Sequence, residues 1–207
     1  PRVGFGFAEL GSVTGEPCEG NPKPRLWRLK NSQSLGVYYG LKNDGCRAIS
    51  ERLARKQFKI PIGISIAKTN SQTTVEIDRG ISDYAKAFGC FTEIGDYITV
   101  NISCPNAYGG EPFTDPEKLD RLFTSLDEIK TKHPIFIKFS PDLSREQVDA
   151  LLNVVQKRRI HGFVCTNLTK RRDLASIKDP APEKGGLSGK VVEDLANDLI
   201  EYIYRKT

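Results

Sequence analysis

Cys104 lies in Asn101-Ile102-Ser103-Cys104-Pro105-Asn106, just past the β-branched run Tyr97-Ile98-Thr99-Val100. A thiol can serve as nucleophile or general base once its ordinary pKa of about 8.5–9 is tuned. The plainer role is that of a small buried hydrophobe. A place past a strand end, beside a proline and between two carboxamides, favours chemistry. No histidine lies near it in sequence: His133 and His161 each precede a strand, which puts them on the opposite rim. Lys138 stands inside the apolar run Ile135-Phe136-Ile137-Lys138-Phe139. An ammonium in a buried strand is costly unless it faces an anion or its head reaches solvent. A cation kept for the negative charge of a bound cofactor is the favoured reading. Asn101, Asn106 and Asn167 offer paired donors and acceptors, which suit a planar, amide-rich ligand. Gly185-Gly186-Leu187-Ser188-Gly189-Lys190 is expected to open the last helix, where free N–H groups favour anions, although it lacks P-loop spacing.

These residues need a scaffold. Apolar runs at Gly4–Gly11, Ile60–Ile66, Tyr97–Ile102, Ile135–Phe139 and Gly162–Cys165 read as buried parallel strands, apolar on both faces and bounded by turn residues. Helical patterns lie between them. Asp115 before Pro116 is an N-cap with proline at the first helical position, followed by Leu119, Leu122, Phe123 and Leu126 on one face. Ser144-Arg145-Glu146-Gln147 is a capping box, followed by Val148, Leu151, Leu152 and Val155. A last helix from about Val191 carries Leu195, Leu199 and Tyr202. Strand–helix alternation predicts a parallel α/β fold, either an open sheet or a closed (β/α)8 TIM barrel. Polar residues gather after every strand exit, in Ser12-Val13-Thr14, Lys68-Thr69-Asn70, Ser103–Asn106, Ser140-Pro141-Asp142 and Thr166-Asn167, as on the active rim of a barrel. About five of eight units are visible, and a whole barrel takes ~250 residues, so a single incomplete barrel domain over 1–207 lacking both ends is expected. The segment Thr14–Tyr39 is expected to be a long loop, and Ala107–Thr114, with Gly109-Gly110, a lid over the mouth.

The composition narrows the classes. The chain has 207 residues, 38% hydrophobic and 28% charged, which is ordinary for a globular protein. No apolar run approaches the ~20 residues of a membrane helix, and no signal-peptide pattern opens the chain. The absence of Met predicts that residue 1 is not the original N-terminus. A net charge of +5 permits an anionic small molecule. Lys157-Arg158-Arg159 and Lys170-Arg171-Arg172 read as solvated surface rather than a nucleic-acid site. Five widely spaced cysteines without a CxxC pair indicate neither a metal site nor a disulfide framework, and fit a reducing compartment.

GFGFAELGSVTGEPCEGNPKPRLWRL (4–29), PIGISIAK (61–68), DYITVNISCPN (96–106), IFIKFSPDLS (135–144), VCTNLT (164–169) and GGLSGK (185–190) together resemble dihydroorotate dehydrogenase, the flavin enzyme of pyrimidine synthesis. The first and last of these resemble the quinone-using, membrane-associated class. The resemblance implies FMN as cofactor, dihydroorotate as substrate and quinone as electron acceptor. It implies a cytoplasmic location, peripheral at the inner membrane face through a segment absent here. Cys104 matches the base that takes a proton from C5 of dihydroorotate while hydride leaves C6. Lys138 matches the lysine beside the flavin ring. Ser12, Asn101, Thr166, Ser188 and Gly189 match flavin contacts, and Gly40, Leu41, Asn101, Asn106 and Asn167 substrate contacts. Three departures stand out. Cysteine is typical of the soluble class, where the quinone class has serine. Val37 replaces an asparagine that leads the substrate stretch, and Ser65 one that binds flavin. Without the upstream lysine loop and the last barrel strands, the fragment itself is expected to hold flavin weakly and to be inactive. The alternatives are another FMN barrel of the tRNA dihydrouridine synthase type and a non-catalytic barrel remnant.

Overall fold

The structure, a computed structural model, describes residues 4–207. Strands β1 (Ala8–Val13), β4 (Ile62–Ile66), β5 (Tyr97–Asn101), β6 (Ile135–Phe139) and β7 (Gly162–Cys165) form a parallel sheet in that spatial order. Strands β2 (Leu26–Leu29), β3 (Ser34–Val37) and β8 (Gly186–Gly189) make a small antiparallel sheet. Helices α1 (Cys46–Ala54), α2 (Ile77–Gly89), α3 (Pro116–Asp127) and α4 (Arg145–Val155) connect successive parallel strands, and α5 (Glu193–Lys206) follows β8. Five adjacent strand–helix units of this order make the chain part of a (β/α)8 barrel; the alternation alone leaves an open sheet possible as well, and it is the polar strand exits that point to the barrel.

The period of two in a strand decides which side chains meet. Ile64, Ile66, Ile98, Val100, Ile135, Ile137 and Phe139 are buried against the helices. The register then sends the alternate residues to the other face: Ser65 opposite Thr99, Thr99 opposite Phe136, and Asn101 opposite Lys138. The sequence expectation of strands apolar on both faces is corrected here. One face is apolar and the other carries the polar groups. At the sheet edges, β1 alternates exposed with half-buried residues over Ala8–Ser12, and β7 is half-buried throughout. The first run also shifts along the chain, pairing from Ala8 to Val13 rather than Gly4 to Gly11.

The helices form where their caps say. Asp115 accepts from Lys118 N at 3.0 Å and precedes Pro116. Ser144 Oγ accepts from Gln147 N at 3.2 Å while Gln147 Oε1 accepts from Ser144 N at 2.9 Å. Helix α3 buries Leu119, Leu122, Phe123 and Leu126. Each such side chain contributes roughly 1.5–3 kcal/mol relative to exposure. Helix α2 is capped by Glu76, whose carboxylate accepts from Asp78 N and Arg79 N at 2.8 and 2.9 Å.

Two expectations fall. The long connector Thr14–Tyr39 holds the β2–β3 hairpin. GGLSGK does not open the last helix; Gly186–Gly189 is β8, paired with β3, and a 3-10 turn over Lys190–Val192 precedes α5. In α5, Leu199 and Ile203 are buried while Leu195 and Tyr202 are only half-buried. In the basic clusters Lys157, Lys170 and Arg171 are exposed, as expected, while the other three arginines are half-buried and bonded to the fold. Arg158 bonds to Asp120 and Arg159 to Asp127 and two backbone carbonyls; Arg172 reaches Pro182 O and Gly185 O. No helix among the described residues is long and apolar enough to cross a membrane.

Candidate active site

A cavity of about 340 Å³ opens at the exit ends of the parallel strands. Strand β5 places Asn101 at its last position and Cys104 three residues on; β6 places Lys138 in register with Asn101. Cys104, Lys138, Ser12, Asn101, Asn106 and Asn167 all line this one cavity. Gly40 and Leu41 join them from the segment after β3. Both have left-handed backbone, with φ of 64° and 60°, and for leucine that is a strained conformation of the kind that gathers at functional sites.

The carboxamides hold one another. Asn101 Nδ2 donates to Ser12 Oγ at 2.8 Å, and Ser12 Oγ lies 2.8 Å from Ser65 Oγ. Asn167 Nδ2 donates to Asn101 Oδ1 at 3.1 Å and to Ser103 O at 2.6 Å, which engages both of its hydrogens. Asn106 Nδ2 donates to Val37 O at 2.9 Å. The residue standing in place of the expected asparagine therefore still serves the site, through its backbone. One N–H of Asn101, and one N–H and Oδ1 of Asn106, stay open among the described residues.

Cys104 is half-buried, and burial pushes its thiol up to about 11. Glu111 raises it further, whereas the backbone N–H of Asn106 and the ammonium groups of Lys68 and Lys138 lower it. Lys138 is half-buried, and its Nζ makes no ion pair or hydrogen bond among the described residues. Lys68 is 4% exposed and donates to Tyr108 O at 2.9 Å. Burial lowers its pKa, opposed by Asp83 and Cys104. It ties the segment after β4 to the expected lid, where Gly109 and Gly110 have φ of 75° and 66°.

Thr166 follows β7 but does not line the cavity, and its hydroxyl donates to Asn167 O at 3.0 Å. Ser188 and Gly189 line a separate cavity with Leu29, Gln33 and Ser34. Several contributors carry weak sequence signals. Lys68 reads only as part of a polar strand exit. Asn21, which donates to Asn106 O at 3.0 Å, sits unmarked in the long connector, and Asn70 reaches it at 3.1 Å.

The family model for dihydroorotate dehydrogenase matches residues 1–207. The chain belongs to the dihydroorotate dehydrogenase family. It is 38% identical over 202 residues to the dihydroorotate dehydrogenase (quinone) of Haloarcula marismortui, covering 97% of this chain and 56% of that protein. It is 36% identical over 215 residues to the protein of the same name from Synechococcus sp., covering 100% of this chain and 56% of that one. The chain thus spans about 56% of the length of these relatives of the dihydroorotate dehydrogenase family. The crystal structure of DHODH from Eimeria tenella in complex with ferulenol shares the fold. Its TM-score is 0.87 at 22% identity, over 98% of this chain and 61% of that one. The ligand-free type from the same organism gives 0.80 at 24% identity, over 98% and 62%.

Proposed function

We propose that the full-length protein oxidises dihydroorotate to orotate in pyrimidine biosynthesis, with FMN as hydride acceptor and a quinone as final electron acceptor. One observation carries this reading: an unmatched ammonium, Lys138, lies in register with Asn101 and shares one cavity with the Cys104 thiol. The donor set fits a flavin and a pyrimidine. An ammonium without a protein anion suits a ring that becomes negatively charged, and carboxamides with open groups suit a ring of alternating N–H and C=O. Bound FMN would supply the sink for hydride from C6 of the substrate.

The chain's own residues divide the remaining work. Cys104, as thiolate, takes the C5 proton. Asn101 and Asn106 orient the pyrimidine through their open groups, while Asn167 holds Asn101 in place and meets the substrate only by exchanging a bond. Gly40 and Leu41 close the substrate side. Ser12 and Asn101 hold the flavin beside Lys138. Thr166, Ser188 and Gly189 stand as flavin contacts on resemblance alone. The names of the relatives support quinone as acceptor.

Anaerobic addition of dihydroorotate to the full-length, FMN-loaded protein tests the reading. Bleaching of the flavin absorbance is expected, and a flavin that stays oxidised overturns it. Reoxidation with a quinone, fumarate or NAD then identifies the acceptor, with the quinone expected to be fastest.

A further inference from the structure

Cys46 and Cys90 are 44 residues apart in the chain, yet their sulfurs lie 3.1 Å apart. Cys46 is the first residue of α1. Cys90 caps the C-terminal end of α2. Cys46 is fully buried and Cys90 half-buried, so Cys90 is the more accessible of the two. Cys18 is engaged with backbone carbonyls, and neither Cys104 nor Cys165 has a second thiol within reach among the described residues. The pair stands outside the cavity that holds Cys104.

We propose that Cys46 and Cys90 form a reversible thiol pair that is oxidised by small-molecule disulfides of the glutathione class, linking α1 covalently to α2. The Cys90 thiolate attacks one sulfur of the oxidant; the oxidant's S–S bond breaks and one glutathione thiolate leaves. Cys46 then loses its proton and attacks the Cys90 sulfur, forming the protein disulfide and expelling the second glutathione thiolate. Two protein thiols are oxidised, and one disulfide is reduced to two thiols. Burial, with Cys90 beside it, pushes the Cys46 thiol up to about 12, and Cys46 is the more buried of the two, so Cys90 is the thiol that meets the oxidant first. Closing the link removes the Cys46 S–H donor from Gly15 O, two residues past the end of β1. Oxidation therefore reaches the loop behind Ser12.

The full-length protein, equilibrated in glutathione buffers of rising oxidised fraction, quenched and mapped by non-reducing peptide mass spectrometry, tests this. One intramolecular Cys46–Cys90 peptide pair is expected, lost on treatment with dithiothreitol. Cys90→Ser should reduce it to background, and Cys46→Ala should leave glutathione trapped on Cys90. If Cys46→Ala does not fold, the Cys90→Ser comparison decides alone. A wild-type protein that keeps glutathione on Cys90 without closing the link, or that stays fully reduced at every ratio, overturns the proposal. Neither result bears on flavin reduction, so the two readings fail independently.

Discussion

The reactivity of Cys104 offers a test that needs no turnover. With its thiol pushed up to about 11, against an ordinary value of 9.0, the deprotonated fraction at pH 7 is about 10⁻⁴ rather than about 10⁻². Alkylation proceeds through the thiolate, and a more basic thiolate is also more nucleophilic, so Cys104 should react with iodoacetamide about 10- to 100-fold more slowly at pH 7 than an unperturbed thiol. Its rate should keep rising with pH to near 11. The neighbours fix the direction of two variants. Glu111→Gln removes a carboxylate that repels the thiolate, so the inflection moves down and neutral reaction speeds up. Lys68→Met removes a cation that attracts it, so the inflection moves up. The assay is peptide-resolved alkylation of the ligand-free full-length protein between pH 6 and 11. A plateau reached by about pH 8, or the two variants shifting in the same direction, refutes the electrostatic account of the site.

Stability should fall in alkali. Cys46, Cys104 and Cys165 are pushed by burial to about 12, 11 and 11, above the value of 9.0. The stability they lend is thus full below about pH 9 and lost as pH rises through 11–12, on the order of 1 kcal/mol per thiol per pH unit; urea midpoints at pH 8 and pH 10.5 check it, and equal midpoints contradict it. Gly11→Ala should destabilise by about 2 kcal/mol or more, because φ is +126° and a Cβ would lie 2.4 Å from Ser65 O. An unchanged urea midpoint for that variant would show that the rim beside Ser12 has room the packing denies.

How far the fold is legible in sequence depends on where its signals lie. Ile135–Phe139 and the helices opening at Asp115 and Ser144 are read correctly because strand bounds, caps and apolar stripe agree. Helix α2 escapes because it starts from a Glu76 cap and carries Gly80 in its interior, neither a common helix mark. Helix α1 buries only Cys46 and Leu53, too little for a visible stripe. The β2–β3 hairpin is hidden among prolines and glycines, and β8 looks like a phosphate turn because Gly189 packs closely on Gln33 and Ser34 while Gly186 packs on Leu168. In the site, motif residues next to strand ends are legible: Cys104, Asn101, Asn106, Lys138 and Asn167 converge. Asn21 and Lys68 are not, because their roles come from contacts 85 and 40 residues away.

The claim that Cys104 removes the substrate proton is tested most directly by single-turnover flavin reduction of the full-length protein by dihydroorotate. Wild type should reduce its flavin faster as pH rises and the thiol deprotonates. Cys104→Ala should be slower by about 10²–10⁴-fold, with that pH dependence gone. A Cys104→Ala variant that reduces flavin at the wild-type rate contradicts the account.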